Sequence, residues 1–173
     1  MHPDAQLTVD VIRARGWQAV LLAPRSKKPS GPAWMVTKDA ATVAQWFDAG
    51  FNVGLICHED TGLAVLDADD LVVWTEMVAT LGELSPPWTL TGGGGLHFYV
   101  QWVAGLPAKL LWNGLTVGEV QRGPGQQQVV LPGSIHPDTG EVYRWNADPL
   151  SDYTTLALPP LPEDWRLYLQ GYA

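Results

Sequence analysis

The stretch Ala64 to Asp70, AVLDADD, is an apolar run that ends abruptly in carboxylates. Read as a strand, its two-residue period puts Asp67 and Asp69 on one face, roughly 7 Å apart, so that both can point at one divalent cation. Alternation turns Asp70 away from that pair and makes it the cap of the helix that follows. The remainder of the chain reads as scaffold and substrate grip around the two carboxylates.

A length of 173 residues supports one well-buried core, so residues 1–173 are expected to form a single domain. There is no apolar run of membrane-spanning length, and MHPDAQLTVDVI has neither the basic start nor the apolar core of a secretory signal. A cytoplasmic location and no membrane partner are therefore expected. The lone Cys57 excludes an internal disulfide and a thiolate-rich zinc site, and is expected to be a buried structural residue. A formal charge of -8 argues against binding nucleic acid mainly through a basic surface, but not against meeting phosphates through metal ions.

Leu7, Val11 and Ile12 have helical spacing between about Asp4 and Arg15, with Gly16 as C-cap, and Trp17–Ala23 is an apolar strand stopped by Pro24. The loop RSKKPSGPAW, residues 25–34, holds the densest positive charge of an acidic chain. It is either a solvated loop or a phosphate grip. Thr37 or Asp39 can cap a second helix through Asp48, with Val43, Trp46 and Phe47 as its buried stripe, and Phe51–Cys57 is the next strand. After AVLDADD, a helix closed by Gly82 is expected to bury Leu71, Trp74, Val78 and Leu81.

A short strand at Trp88–Thr91 leads to four glycines, Gly92 to Gly95, whose backbone N–H groups are left open to a bulky anion. In the strand LHFYVQW that follows, Leu96, Phe98, Val100 and Trp102 share one face, while His97 lies on the opposite, polar one. LTVGEV puts Leu115, Val117 and Glu119 together, and residues 123–131, GPGQQQVVL, turn into a further strand. PGSIHPDTG places Ser134 and His136 in a polar loop, an arrangement more often local turn chemistry than catalysis, before a strand at Glu141–Trp145. A proline-rich segment and a short amphipathic helix, LPEDWRLYLQG, close the chain over 147–173. The nine tryptophans are scattered, so most are expected to fill the core and one or two to offer a surface for stacking bases.

Taken in order, the loop KKP, D-x-D at a strand end, a glycine tract with x-H on a strand, an acid on a later strand and PGSxHPxTGxxYxW resemble the prim-pol catalytic domain of bifunctional DNA primase/polymerases. These belong to the archaeo-eukaryotic primase superfamily, typically coded by plasmids, phages and integrated elements. The resemblance spans about residues 10–146, and the last motif is its most specific part. It implies an α+β, archaeo-eukaryotic primase-like fold, with a small N-terminal α/β module packed on a mixed sheet resembling an RNA-recognition motif and the active site in the cleft between them. It further implies a template-dependent DNA polymerase or primase that transfers nucleotidyl groups from dNTP or NTP to a 3′-hydroxyl.

Under that resemblance Asp67, Asp69 and Glu119 hold two Mg²⁺ or Mn²⁺ ions, and His97 is catalytic as a donor to the triphosphate. Gly94, Gly95, Ser134, His136, Lys28 and Arg122 become nucleotide contacts. The implied partners are dNTP or NTP, a single-stranded DNA template with its primer, and a helicase or accessory priming domain. Two positions depart from the pattern. Gly95 stands where a serine is frequent, and Glu119 stands where relatives commonly carry aspartate. No priming module or helicase accompanies these motifs, so extension rather than primer initiation is expected. Two other functions fit the same residues: a nucleotide- or DNA-binding replication-initiation module of this fold, and a metal-dependent nuclease.

Overall fold

In the computed structural model, which describes residues 1–124, 127–147 and 152–171, the apolar part of the AVLDADD run, through Ala68, lies in an inner strand of an antiparallel sheet. Gly125 and Gln126, within the stretch 123–131 expected to lead into a strand, and the parts of the C-terminal extension at 148–151 and 172–173, lie outside the described residues. In chain order the elements are α1 (Pro3–Arg15), β1 (Ala19–Leu22), β2 (Val36–Thr37), α2 (Ala40–Asp48), β3 (Asn52–Ile56), β4 (Leu63–Ala68) and α3 (Leu71–Leu81). Then come β5 (Thr89–Leu90), β6 (Leu96–Gln101), β7 (Lys109–Trp112), β8 (Leu115–Gln121), β9 (Gln128–Val130), β10 (Arg144–Trp145) and α4 (Glu163–Gln170). The protein is thus a mixed α+β fold with two antiparallel sheets. The mixed sheet expected from the sequence is corrected, because every strand pairing described is antiparallel.

Two compact units emerge from the chain. The first comprises Met1–Ile56, Thr89–Gly93 and Gln128–Leu156. Its sheet runs β2-β1-β3-β9, and β5 and β10 pair antiparallel within the same unit. Helix α1 starts at the His2 cap, whose Nδ1 accepts the Asp4 N–H, and ends where Gly16 turns left-handed at φ 65°. Its buried side holds Ala5, Thr8, Val9, Val11 and Ile12, a wider stripe than the expected one, in which Leu7 is only half-buried. The Thr8 hydroxyl donates to the Pro132 carbonyl at 2.6 Å and accepts from Trp145 Nε1 at 3.1 Å, tying that loop and β10 to the helix. Helix α2 is capped by Asp39, not Thr37, and buries Ala40 and Val43 while Trp46 and Phe47 are half-buried. Two hydrogen bonds from Thr42, hydroxyl and N–H, hold the Asp39 carboxyl below the usual carboxylate range.

The second unit comprises Cys57–Trp88, Gly94–Gln127 and Ala157–Ala173, with strand order β6-β4-β8-β7. One sheet face is apolar: Ala64, Leu66, Ala68, Phe98, Val100, Leu110 and Val120 pack under α3 and α4. Trp74 stacks on Phe98 at 4.7 Å between ring centroids and tilts against Trp165 at 5.1 Å. Helix α3 presents Val73, Trp74 and Met77 to this core. Leu71, expected to be buried, is 36% exposed because Asp70 caps the helix and leaves Leu71 in the first turn, outside the buried stripe. Cys57 is buried, and six tryptophans (17, 74, 88, 112, 145 and 165) are core residues, while Trp34, Trp46 and Trp102 are half-buried. Among the described residues no helix is long and apolar enough to cross a membrane.

The short α4 is integral to the second unit: Trp165 is fully buried, and its indole N–H donates to the Gly82 carbonyl at 2.9 Å. Trp165→Ala is expected to remove about 3–5 kcal/mol of stability, as large-to-small changes of buried aromatics do. Urea unfolding followed by tryptophan fluorescence measures it, and a loss below about 1 kcal/mol would mean that α4 only lies on the surface.

Candidate active site

The site is built on the face of the second unit's sheet that is turned away from α3 and α4. Antiparallel register sets Asp67 directly opposite His97 on β6 and opposite Glu119 on β8, and Glu119 opposite Lys109 on β7. Directly paired residues of an antiparallel sheet project to the same side. His97, Asp67, Glu119 and Lys109 therefore form one polar row across four strands.

Glu119 reaches this row through a bulge. Leu110 pairs with Gly118 but Leu111 pairs with Thr116, which leaves Val117 as an extra residue on β8. The bulge reverses the alternation: Val117 and Val120 both enter the apolar core, and Glu119 points to the opposite face. The expected common face of Leu115, Val117 and Glu119 is corrected accordingly, since Leu115 is 55% exposed and Val117 is buried.

The same bulge ends β4. The Val117 carbonyl accepts from the N–H groups of both Asp69 and Asp70, at 2.9 and 3.0 Å. The strand stops at Ala68, and Asp69 stands exposed one residue beyond it. Asp70 Oδ1 accepts from Val72 and Val73 N–H and caps α3, the role expected for it.

Close approach of β8 to β4 is possible only without a side chain at Gly118, where a β-carbon would lie 1.8 Å from the Asp67 carbonyl oxygen. A glycine inside a strand is a sequence signal for such contact. A second missed signal is Asn113–Gly114, both with positive φ, which closes the β7–β8 hairpin and brings in Lys109.

His97 is 3% exposed and shares its face with Tyr99, which is fully buried and stacks on Trp88 at 5.2 Å. The expected polar face is thus covered. His97 Nε2 lies 3.3 Å from Asp67 Oδ1, a buried oxygen that accepts no hydrogen bond among the described residues. The Glu119 carboxylate accepts from Gln121 Nε2 at 3.0 Å. Among the described residues no three His, Cys, Asp or Glu side chains are gathered closely enough to hold a metal ion. The donor chemistry nonetheless suits one: hard carboxylate oxygens, one of them desolvated without a hydrogen bond, side by side on neighbouring strands.

The other predicted residues are placed differently. Arg122, in the second unit, donates from Nε to the Leu106 carbonyl at 2.7 Å and from Nη1 to the Gly123 carbonyl, beside a cavity of about 300 Å³ that it lines with His58, Trp102 and Leu106. Gly94, at φ 90°, has open space where a side chain would be, and Gly95 is buried. Gly92 and Gly93 serve packing: β-carbons there would lie 2.6 Å from His136 Cβ and 2.9 Å from His136 Nε2.

In the first unit Ser134 is fully buried, its hydroxyl accepting the Val53 N–H at 3.0 Å and donating to the Val53 carbonyl at 3.3 Å. His136 Nδ1 accepts from the N–H groups of Asp138 and Thr139, so the neutral ring carries its proton on Nε2. Both residues hold their loop in shape. Lys28 is exposed on the hairpin that leaves β1.

Residues 9–164 match the family model described as the N-terminal domain of bifunctional DNA primase/polymerase. No curated protein matches the chain.

Gly118→Ala is expected to destabilise the protein by about 1–3 kcal/mol, because the clash is with backbone that cannot rotate away. Thermal unfolding tests this. A variant as stable as the parent would show that β4 and β8 are further apart than described.

Proposed function

The chain belongs to the bifunctional DNA primase/polymerase family, nucleotidyltransferases whose substrates are nucleotides and DNA, and from that premise we propose that Asp67, Asp69 and Glu119 carry template-dependent extension of a primer 3′-hydroxyl. The observation that supports it most is the direct cross-strand pairing of Asp67 with both Glu119 and His97. Asp67, Asp69 and Glu119 would hold two Mg²⁺ or Mn²⁺ ions. Such a pair of ions, when bound, activates the 3′-hydroxyl and offsets charge on the triphosphate as pyrophosphate leaves.

The residues' own work is positional. Glu119 is steadied by the Gln121 amide, and Asp69 by the bulge carbonyl that takes its N–H. His97, buried beside Asp67 Oδ1, keeps that carboxylate in place. This narrows the donor role expected from the sequence, because a ring 3% exposed has little surface for a triphosphate. Lys109, at the end of the row, sets one positive charge against the carboxylates. Starting a primer from nothing would fall to an accessory priming domain or helicase partner.

The test is extension of a primed DNA template with labelled dNTPs and Mg²⁺ or Mn²⁺, beside Asp67→Ala/Asp69→Ala. Metal-dependent extension that the double substitution reduces to background supports the reading. No extension under either metal sinks it, and strand shortening assigns the site to a nuclease.

For His97→Ala, a positioning role predicts that kcat falls by about tenfold to a hundredfold, the range expected when a group that orients a metal-binding side chain is removed, while KM for dNTP stays within about twofold. A rise in KM at constant kcat would restore the triphosphate-donor role.

A further inference from the structure

The positive charge of this acidic chain is concentrated on the hairpin after β1, where Arg25, Lys27 and Lys28 are all exposed. None of the three is in an ion pair with a carboxylate among the described residues. A solvated loop needs no internal ties, but this one is held at every carbonyl from 26 to 28. Asn52 Nδ2 donates to the Ser26 carbonyl at 3.0 Å, Gln128 Nε2 to that of Lys27 at 2.9 Å, and the Ala23 N–H to that of Lys28 at 2.9 Å. With the carbonyls committed inward, the outward side of the hairpin is cationic.

Asn52 is 2% exposed and is the junction of two loops. Besides Ser26, its Nδ2 donates to the Ile135 carbonyl at 2.8 Å, and its Oδ1 accepts the Ile135 N–H at 2.9 Å. The hairpin is thereby fastened to the Pro132–Gly140 loop of the same unit. Arg25 has φ 49°, a left-handed conformation costly for a side-chain-bearing residue, and its guanidinium lies over Gly140, where a β-carbon would come within 3.2 Å of Nη2. A strained backbone that aims an unpaired guanidinium across a locked turn is unexplained by packing alone.

We propose that Arg25, with Lys27 and Lys28, forms a clamp for phosphate groups, and that Asn52 is the positioning residue that locks the clamp to the loop carrying Ser134 and His136. One guanidinium and two ammonium groups on one hairpin whose carbonyls are tied inward suit adjacent phosphates, as in a nucleoside triphosphate or a single-stranded DNA backbone. The proposal rests on the nucleotidyl-transfer reading only for the choice of these two phosphate sources.

The test measures affinity without catalysis, for dATP and separately for a fluorescent oligothymidylate, in wild type, Arg25→Ala, Arg25→Lys and Lys38→Ala. Arg25→Ala is expected to weaken at least one ligand by about tenfold, with Arg25→Lys recovering part of it. The ligand affected tells triphosphate from DNA. Both affinities within twofold of wild type, or an equal loss in Lys38→Ala, where the same charge is removed elsewhere, would overturn the clamp. Asn52→Ala is measured alone and combined with Arg25→Ala. A positioning role predicts that its effect on affinity shrinks in the Arg25→Ala background, whereas a purely structural role leaves the two effects independent and overturns that part. Phosphate binding without primer extension would refute the polymerase reading and leave this clamp standing.

Discussion

The candidate active site depends on one close contact between backbones, the approach of β8 to β4 at Gly118. A β-carbon at that position would sit 1.8 Å from the Asp67 carbonyl. Because there is none, β8 can bulge at Val117 beside it, and the bulge carbonyl takes the N–H groups of Asp69 and Asp70. Three consequences follow from this single geometry. Glu119 is turned out of the apolar core onto the Asp67 face, β4 ends at Ala68, and α3 begins one residue after its Asp70 cap. The carboxylates are held by backbone pairing, the stiffest support available to a side chain.

Burial divides the second unit's sheet into two environments. One face is sealed by aromatic packing of Trp74, Phe98 and Trp165. The other buries His97 and Tyr99 while leaving Glu119 and Lys109 exposed at the far strands. A polar row graded from buried to exposed places one desolvated carboxylate oxygen, Asp67 Oδ1, next to solvent-facing acids. That gradient suits a group that must strip part of the hydration from a cation and still exchange substrate and product. The first unit uses polarity differently: Ser134, His136 and Asn52 are buried, with their hydrogen bonds to backbone shaping loops around the basic hairpin.

Much of this was legible in the sequence, and the limits have physical causes. The Asp70 cap, the Gly16 helix end and the apolar alternation of Leu96, Phe98 and Val100 follow from short-range rules, and the structure bears them out. Assignments that rest on strand parity failed where a bulge intervened, since one extra residue exchanges the two faces and moved Glu119 relative to Val117. Gly118 and the Asn113–Gly114 turn carried a readable signal. The division of the glycine tract did not, because Gly92 and Gly93 are explained by His136, more than forty residues away in the chain. Long-range hydrogen bonding is likewise invisible to periodicity, and it is what sets Asn52 and Ser134 in their loops.

The central claim is that the row anchored by Asp67 is the metal-carrying part of a nucleotidyl-transfer site. A crystal structure of the protein with Mn²⁺ and a non-hydrolysable dNTP analogue tests it most directly through the anomalous signal of manganese. Manganese bound by Asp67, Asp69 and Glu119, in contact with the analogue's phosphates, is the predicted result. An analogue bound with manganese at other residues, or with none beside these three carboxylates, would contradict it.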